Sequence, residues 1–242
     1  MAWSAGSRGE TLSLAIVSGA TPNFDPIFDV TALTHARYAN RWGHVYYENR
    51  WAQSLPHPPS WEKLNAIRDA FYRGHKWVLW IDADAAFTKQ ADDFDVGDLV
   101  DPRFSVKVAQ QTLEGIAFPC CGIMLIRNDN TGNAWLDELE RRKHQYLNHP
   151  WWEQAAAYEV MGYDNTVLAA VQGDPFRGQT EWTEKIGRIP HHWHSTPQDP
   201  FEGYPMIYHA TGHRDTKIRL NLLTVAIPRC ILNETATQGE TT

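Results

Sequence analysis

The chain has little of what marks disulfide-rich, membrane-spanning or secreted proteins. Cysteine occurs three times in 242 residues, twice in adjacent positions, so a disulfide framework is excluded and reduced thiols in a reducing compartment are expected. No apolar run reaches the roughly 18 residues of a membrane-spanning helix, so no membrane span is expected. The first ten residues are polar and lack the apolar core of a signal peptide, which predicts a soluble, cytoplasmic protein.

A basic surface for nucleic acid is also lacking. The 22 Lys and Arg residues form no basic run, and the formal net charge is −7. Because DNA binding depends on neutralising phosphates, DNA is a disfavoured partner. Tryptophan, in contrast, occurs 11 times, and its ring either packs in a core or stacks on sugars and bases. The length fits a single domain over residues 1–242, with flexible ends expected at 1–10 and 232–242.

The most informative stretch runs from Trp77 to Phe87. Five consecutive apolar residues are followed directly by Asp82, Ala83 and Asp84. An apolar run of this length predicts a strand buried on both faces. Because an unpaired charge is costly out of water, the acids are expected where the strand emerges, at its carboxyl end. Ligands of open α/β sheets bind at that end, so the acids form a candidate site for a metal ion and a diphosphate.

The remaining pattern predicts an α/β protein. Strands and helices alternate over the first third of the chain, which is typical of a parallel sheet with helices on both faces. Gly43 is expected to end the first helix, and Ser60 to be the N-cap of the second. Strands are predicted at 12–18, 44–48, 77–81, 105–109, 122–126, 186–189 and 206–209. Helices are predicted at 27–42, 60–73, 131–146, 152–161 and 164–171.

An Asp-x-Asp pair at a strand end fits more than one function. The two carboxylates can hold a divalent cation that binds the diphosphate of a nucleotide sugar. A haloacid-dehalogenase-like phosphohydrolase also places this motif after an apolar strand, but it has Thr or Val where this chain has Ala86, and its motif comes earlier in the fold. A non-catalytic carbohydrate-binding protein, which stacks sugars on exposed Trp, is the third hypothesis.

Further motifs surround the Asp-x-Asp pair. They lie at Val17–Gly19, Trp61–Arg68, Trp80–Ala85, Cys120–Asn128, Trp152–Gln154 and Tyr208–Arg214. Together, and in this order, they resemble the motifs of the GMA12/MNN10-type α-glycosyltransferases. The second resembles the Trp-x-Lys-Leu-x-x-x-Arg helix of that family, and the last its His-Phe-x-Gly-x-Lys. The chain departs from the family pattern at four positions: Cys120 replaces Asn, Ala83 replaces Ser, Glu153 replaces Asp and Arg214 replaces Lys.

The resemblance implies a GT-A fold, with a Rossmann-like, mostly parallel central sheet flanked by helices. It implies a metal-dependent, retaining glycosyltransferase that uses Mn²⁺ or Mg²⁺. The donor is expected to be a UDP-sugar, with a GDP-sugar as the alternative, and the acceptor a glycan or another hydroxyl compound. Asp82, Asp84 and His209 are the implied metal ligands; two carboxylates and an imidazole suit these ions. The implied transfer-step residues are Glu153 and Gln154.

The resemblance also implies two groups of binding residues. The donor is expected to contact Ser18, Gly19, Lys63, Asp82, Ala83, Cys121, Gly122, Gly212 and Arg214. The acceptor is expected to contact Trp152, His192 and His194. Arg214 can clamp phosphate through two parallel hydrogen bonds.

Some roles stay open at this stage. Glu153 can serve as nucleophile, as stabiliser of a positively charged transition state or as acceptor ligand. Asp164 is an alternative carboxylate, although it can equally cap a helix. Arg68 can face the donor or the solvent. The histidine cluster at 191–194 matches no common zinc spacing and has no Cys pair beside it, so a zinc site formed by this segment is disfavoured.

Overall fold

The computed structural model describes residues 13–113, 116–165, 176–203, 205–212 and 215–226. The α-helices in this part of the chain are α1 (Asp25–Trp42), α2 (Glu62–Tyr72), α3 (Asn130–Tyr146), α4 (Trp152–Val160) and α5 (Thr216–Ala226). The strands are β1 (Leu14–Ala20), β2 (Val45–Arg50), β3 (Trp77–Ile81), β4 (Ala85–Phe87), β5 (Val106–Leu113), β6 (Ile116–Arg127), β7 (Ile186–Arg188) and β8 (Ile207–His209). Among the described residues, no helix is long and apolar enough to cross a membrane.

The central sheet has six strands in the order β2-β1-β3-β6-β5-β7. β1 pairs in parallel with β2 and β3, and β5 pairs in parallel with β7. β6 is antiparallel to both of its neighbours, β3 and β5. Five strands therefore run in one direction and one in the other, which confirms the predicted mostly parallel sheet.

β3 is buried on both faces, as its unbroken apolar run predicts. Val78 and Trp80 pack in one core cluster with residues of α2, α3 and α4. Trp77, Leu79 and Ile81 pack in a second cluster on the opposite face, together with residues of α1. Since successive side chains of a strand alternate between the faces of the sheet, only a continuous apolar sequence can fill both layers.

β3 ends at Ile81, and the chain then leaves the central sheet. Residues 82–84 form a turn, and β4 follows in a separate two-stranded sheet with the antiparallel β8. Two side chains of α1 contact backbone carbonyls of this turn and of the residue after it. Thr31 Oγ1 donates to the carbonyl of Ala83 over 2.7 Å, and His35 Nε2 lies 2.8 Å from the carbonyl of Ala85. The crossing places both acids at the seam between the two sheets.

The structure corrects several sequence-based expectations. Ser60 is not the N-cap: a 3₁₀ turn (Pro59–Trp61) precedes α2, and Trp61 occupies the cap position without a side-chain bond. β6 is longer than predicted because it extends through Pro119 along β5. α5 was not predicted because its apolar residues do not form a clear face. Leu223 is buried, whereas Val225 is 82% exposed. Most of the helix predicted at 164–171, and both chain ends, lie outside the described residues.

Candidate active site

The two acids and the imidazole singled out in the sequence converge at the end of β3. The pairing of β4 with β8 sets Ala85 opposite His209, and the Ala210 N–H donates to the carbonyl of Asp84 over 2.9 Å. His209 Nε2 therefore lies 3.2 Å from Asp84 Oδ1 and 4.0 Å from Asp82 Oδ2. One potential ligand atom from each of these three residues lies within 4.8 Å of the other two.

The donor set and the space around it fit a divalent cation. Gly122 of β6 forms one wall: a Cβ there would collide with His209 Cε1 and lie 3.1 Å from Asp82 Oδ2. The absence of a side chain at this position leaves room for His209 and Asp82 to approach each other. The side chain of Asp82 is 30% exposed, whereas those of Asp84 and His209 are buried, so the cluster opens to solvent on the Asp82 side. Two carboxylate oxygens and one imidazole nitrogen suit Mn²⁺, and also Mg²⁺.

Asp84 lies between two cationic groups. Its Oδ2 forms an ion pair with Arg219 of α5, and its Oδ1 faces His209. Burial opposes ionisation of Asp84, but the charges of His209 and Arg219 outweigh it and hold the pKa of the carboxyl well below its usual range. Burial likewise opposes protonation of His209, and the charge of Asp84 raises its pKa above the ordinary value. The sequence gives no local signal for Arg219, which lies 135 positions after Asp84.

Asp82 has a different set of neighbours. Its Oδ1 accepts hydrogen bonds from Trp80 Nε1 over 2.6 Å and from Lys63 Nζ over 3.2 Å. Lys63 is buried and also lies 2.5 Å from Glu153 Oε1 and 3.2 Å from the carbonyl of Cys121. Burial disfavours the ammonium ion, but Asp82 and Glu153 outweigh it and raise the pKa of Lys63. Lys63 is therefore a fixed cation between two predicted site carboxylates.

Glu153 and Gln154 occupy the first turn of α4. Glu153 is 4% exposed, and its burial raises the pKa of its carboxyl group against the opposing effect of Lys63. Gln154 Oε1 accepts from the Cys121 N–H over 3.2 Å, and its Nε2 donates to the Tyr158 hydroxyl over 3.2 Å. α4 is thereby attached to β6 beside the Asp82 cluster, and both predicted transfer-step residues lie near it.

Cys120 and His194 lie on the inner side of His209. His209 Nδ1 is 3.1 Å from His194 Nε2 and 3.7 Å from Cys120 Sγ. Burial alone would raise the pKa of the Cys120 thiol, but the adjacent imidazoles of His194 and His209 lower it to about 6. His194, predicted on the acceptor side, is only 1% exposed. Cys120 was noted in the sequence only as a departure from the family pattern, so sequence reasoning missed its contact with His209.

The donor-side residues of β1 lie under a pair of indoles. Gly19 lies inside β1, and a Cβ there would be 2.5 Å from the Trp51 ring. Trp51 stacks on Trp80 at a centroid separation of 6.4 Å. The carbonyl of Ser18 accepts from Asn49 Nδ2 over 2.9 Å. Gly19 therefore provides room for Trp51, and the indole pair connects β1 to the Asp82 end of β3.

The other predicted residues are dispersed around this cluster. Trp152 is 38% exposed and has a φ of +44°, which is rare for a bulky residue. Exposed His192 lies in a 3₁₀ turn, and Gly212 has a φ of +86° close to Gln198. Ala83 is almost fully buried against α1.

Two residues considered earlier, Asp164 and Arg68, do not join the cluster, and a third cannot be placed relative to it. Arg214 lies outside the described residues. Asp164 pairs with Arg177 over 2.7 Å. Arg68 donates to Asp137 of α3 over 3.0 Å, on the outer surface of the helix layer.

Comparisons with known proteins match the fold but not the sequence. No protein-family model and no curated protein sequence matches the chain. A glycosyltransferase involved in glycosylation of the major capsid of PBCV-1 matches with a TM-score of 0.63 and 14% identity, over 88% of this chain and 98% of that chain. The galactosyltransferase LgtC, in complex with donor and acceptor sugar analogs, gives 0.51 and 12% over 88% and 96%. GlyE of Streptococcus pneumoniae TIGR4 gives 0.54 and 11%, over 88% of this chain and 63% of that chain.

These similarities confirm the predicted GT-A fold. They are too distant in sequence to assign an activity, and the resemblance to the GMA12/MNN10-type family stays a prediction.

Proposed function

We propose that the protein is a metal-dependent, retaining glycosyltransferase that moves a sugar from a nucleotide diphosphate to a hydroxyl group of a glycan or related acceptor. The observation that carries the proposal is the cluster of Asp82, Asp84 and His209 at the carboxyl end of β3, in a GT-A fold. A binding module would need neither this convergence of ligands nor the cations around it. A UDP-sugar is the favoured donor, on the basis of the motif resemblance.

Asp82, Asp84 and His209 would hold Mn²⁺ or Mg²⁺. The cation supplies Lewis-acid stabilisation of the departing nucleoside diphosphate. Asp84, buried and paired with Arg219, anchors the site, whereas the partly exposed Asp82 faces the donor. Arg219 adds a guanidinium group at the same point, where it can share its charge between Asp84 and a phosphate oxygen.

The donor would enter over the Asp82 side. There Lys63 fixes the orientation of Asp82 through Oδ1 and leaves Oδ2 toward His209 and the solvent. Ser18 and Gly19 lie at the end of the adjacent parallel strand, with Trp51 above them. The edge of this indole offers an apolar surface for the nucleoside part of the donor.

The transfer step would take place beside the first turn of α4. Retention of configuration requires either a carboxylate nucleophile or attack on the same face as the leaving group. Glu153 is buried and ion-paired with Lys63, so we assign it electrostatic support of Lys63 and of the positive charge that develops on the sugar. Gln154, with its amide attached to β6, holds α4 in place and lines the same wall. Trp152 and His192 are the exposed predicted residues for the acceptor.

The test removes the charge of Asp84 and measures donor binding rather than activity alone. We expect Asp84→Asn to weaken Mn²⁺-dependent binding of UDP by at least about tenfold, because the site loses an anionic ligand. Titration calorimetry of UDP with and without Mn²⁺ gives the affinity. The matched control is Asp137→Asn, an exposed acid on α3. Unchanged Mn²⁺-dependent UDP affinity in Asp84→Asn would falsify the proposed metal centre, and phosphate release from simple phosphoesters would favour the phosphohydrolase.

A further inference from the structure

His209 has a second side that the proposed function does not use. Its Nδ1 faces His194 Nε2 at 3.1 Å and Cys120 Sγ at 3.7 Å. One ligand atom from each of the three residues lies within 4.8 Å of the other two. The residues are 1–2% exposed, so this cluster, here called the sulfur-side cluster, is a buried set of three potential ligands.

The sulfur-side cluster selects a different type of ion from the group of Asp82, Asp84 and His209, here called the aspartate cluster. It offers one thiolate and two imidazoles and no carboxylate, a set that suits Zn²⁺ and is unfavourable for Mg²⁺. Tetrahedral zinc, with Zn–N of about 2.0 Å and Zn–S of about 2.3 Å, keeps its ligand atoms roughly 3.3–3.8 Å apart. The measured separations of 3.1 Å between the two imidazole nitrogens and 3.7 Å between sulfur and nitrogen are close to this range.

His194 is already oriented as a ligand. Its Nδ1 lies 2.9 Å from the carbonyl oxygen of Gln110, and a carbonyl only accepts hydrogen bonds. The proton of neutral His194 is therefore on Nδ1, and the lone pair of Nε2 points into the cluster. A backbone carbonyl that fixes the far nitrogen is the usual support for a metal-binding histidine.

We propose that Cys120, His194 and His209 form a second metal site, for Zn²⁺ or another divalent cation that binds thiolate, and that its occupation withdraws His209 from the aspartate cluster. A neutral imidazole has one N–H and one lone pair. With a cation at Asp82 and Asp84 and no ion in the sulfur-side cluster, a neutral His209 would donate from Nδ1 to His194 Nε2 and direct the lone pair of Nε2 toward that cation.

Ligation through Nδ1 reverses this arrangement. The proton of His209 then resides on Nε2 and is donated to Asp84, so no lone pair is left for a cation at the aspartates. One imidazole thus serves two sites in turn, and an ion in the sulfur-side cluster antagonises an ion at the aspartates. The antagonism rests on the proposed function, whereas the sulfur-side site does not.

Cobalt is the probe for the sulfur-side site, because Co²⁺ replaces Zn²⁺ and has an absorption spectrum. We expect chelator-treated protein to acquire, on addition of Co²⁺, a thiolate-to-cobalt charge-transfer band and intense visible bands of a tetrahedral ion. Cys120→Ser should abolish the charge-transfer band, and His194→Gln should weaken Co²⁺ binding at least tenfold. Cys121→Ser is the matched control that should retain the band, since the side chain of Cys121 packs in the core cluster on the opposite face of the sheet.

The proposal is overturned if wild-type protein shows no charge-transfer band, or if the band persists in Cys120→Ser. Asp84→Asn should retain the band, which separates this site from the aspartate cluster. A second measurement follows the charge-transfer band of one equivalent of Co²⁺ while Mn²⁺, which binds thiolate poorly, is added, and electron paramagnetic resonance shows whether Mn²⁺ binds. Mn²⁺ should weaken Co²⁺ binding at least tenfold in the wild type but not in Asp84→Asn, because coupling between two sites is reciprocal. Equal effects in both proteins overturn the antagonism, whereas failure of Mn²⁺ to bind at all counts against the proposed function and leaves the cobalt result intact.

Discussion

Asp82 and Asp84 stand one residue apart in the sequence but in opposite environments. Asp84 is buried between His209 and Arg219, two groups supplied from beyond residue 200. Asp82 is 30% exposed and is held by Trp80 and Lys63, which belong to the first third of the chain. The turn between them crosses from the central sheet to the small sheet, and this crossing produces the difference.

The comparison shows how one short motif can provide two kinds of ligand. A buried carboxylate beside fixed cations stays ionised and in place, at the cost of its desolvation. A partly exposed carboxylate can be held through one oxygen and leave the other open to an incoming ligand. The cationic partner on the Asp82 side, Lys63, is fully buried, so its removal should reveal the energetic cost of the desolvated charges.

The largest expected effect comes from the cation on the Asp82 side. Lys63→Met should lower the free energy of unfolding by about 3–5 kcal/mol, because it leaves the buried Glu153 without its counterion. Replacing both partners, in Lys63→Met with Glu153→Leu, should recover part of that loss. Urea unfolding followed by circular dichroism measures the wild type, Lys63→Met, Glu153→Leu and the double variant.

Arg68→Met is the matched control for Lys63→Met. It lies on the same helix, but its partner Asp137 is 70% exposed, so the change should cost no more than about 1 kcal/mol. Equal losses for the two single variants would show that the Lys63 pair contributes no more than a surface ion pair. A double variant as unstable as the sum of its parts would lead to the same conclusion.

Local sequence patterns predicted the surroundings of Asp82 well but those of Asp84 only in part. β3 was predicted to the residue, since five apolar residues in a row between Gly74 and the two acids favour a short strand covered on both faces. Lys63 was placed correctly on α2 by its motif. Arg219 was not found, because α5 lacks a clear apolar face and the contact spans 135 positions.

Sequence patterns also did not predict the neighbours of His209 Nδ1. Cys120, His194 and His209 come from three separate elements, and their convergence depends on the register of β5 against β6 and of β4 against β8. The spacing of these three residues along the chain does not predict that they lie together in the fold. The histidine cluster at 191–194 failed every local zinc pattern, yet one of its members joins a cysteine from β6.

A second prediction concerns His35 of α1, which contacts the carbonyl of Ala85 directly after the turn that carries both aspartates. Burial desolvates the imidazolium form of His35 on α1 and outweighs the hydrogen bond to Ala85, which lowers the pKa from 6.5 to about 4. The unfolded chain therefore binds this proton at a higher pH than the folded protein. The contribution of neutral His35 to the free energy of unfolding is fully present above pH 6.5. It falls by about 3 kcal/mol as the pH is lowered to about 4.

His35→Gln removes this titration while keeping a donor for the carbonyl of Ala85. The difference in unfolding free energy between wild type and variant should change by about 3 kcal/mol between pH 7 and pH 4, as urea titrations at each pH can show. A difference that stays constant with pH would mean that His35 is not a buried neutral imidazole in the folded protein.

The smallest expected effect distinguishes two glycines of the central sheet, Gly122 of β6 and Gly19 of β1. Gly122→Ala places a Cβ against His209 and 3.1 Å from Asp82 Oδ2, so it should weaken Mn²⁺ binding by about tenfold, or ~1.4 kcal/mol. Gly19→Ala is the matched control: its Cβ would meet Trp51 instead, so Mn²⁺ affinity should be retained while UDP affinity falls. Electron paramagnetic resonance titration of Mn²⁺ measures the first effect and calorimetry with UDP the second. If the two glycine variants bind Mn²⁺ alike, the space beside Gly122 is a packing feature of β6 and the metal ligands require no clearance there.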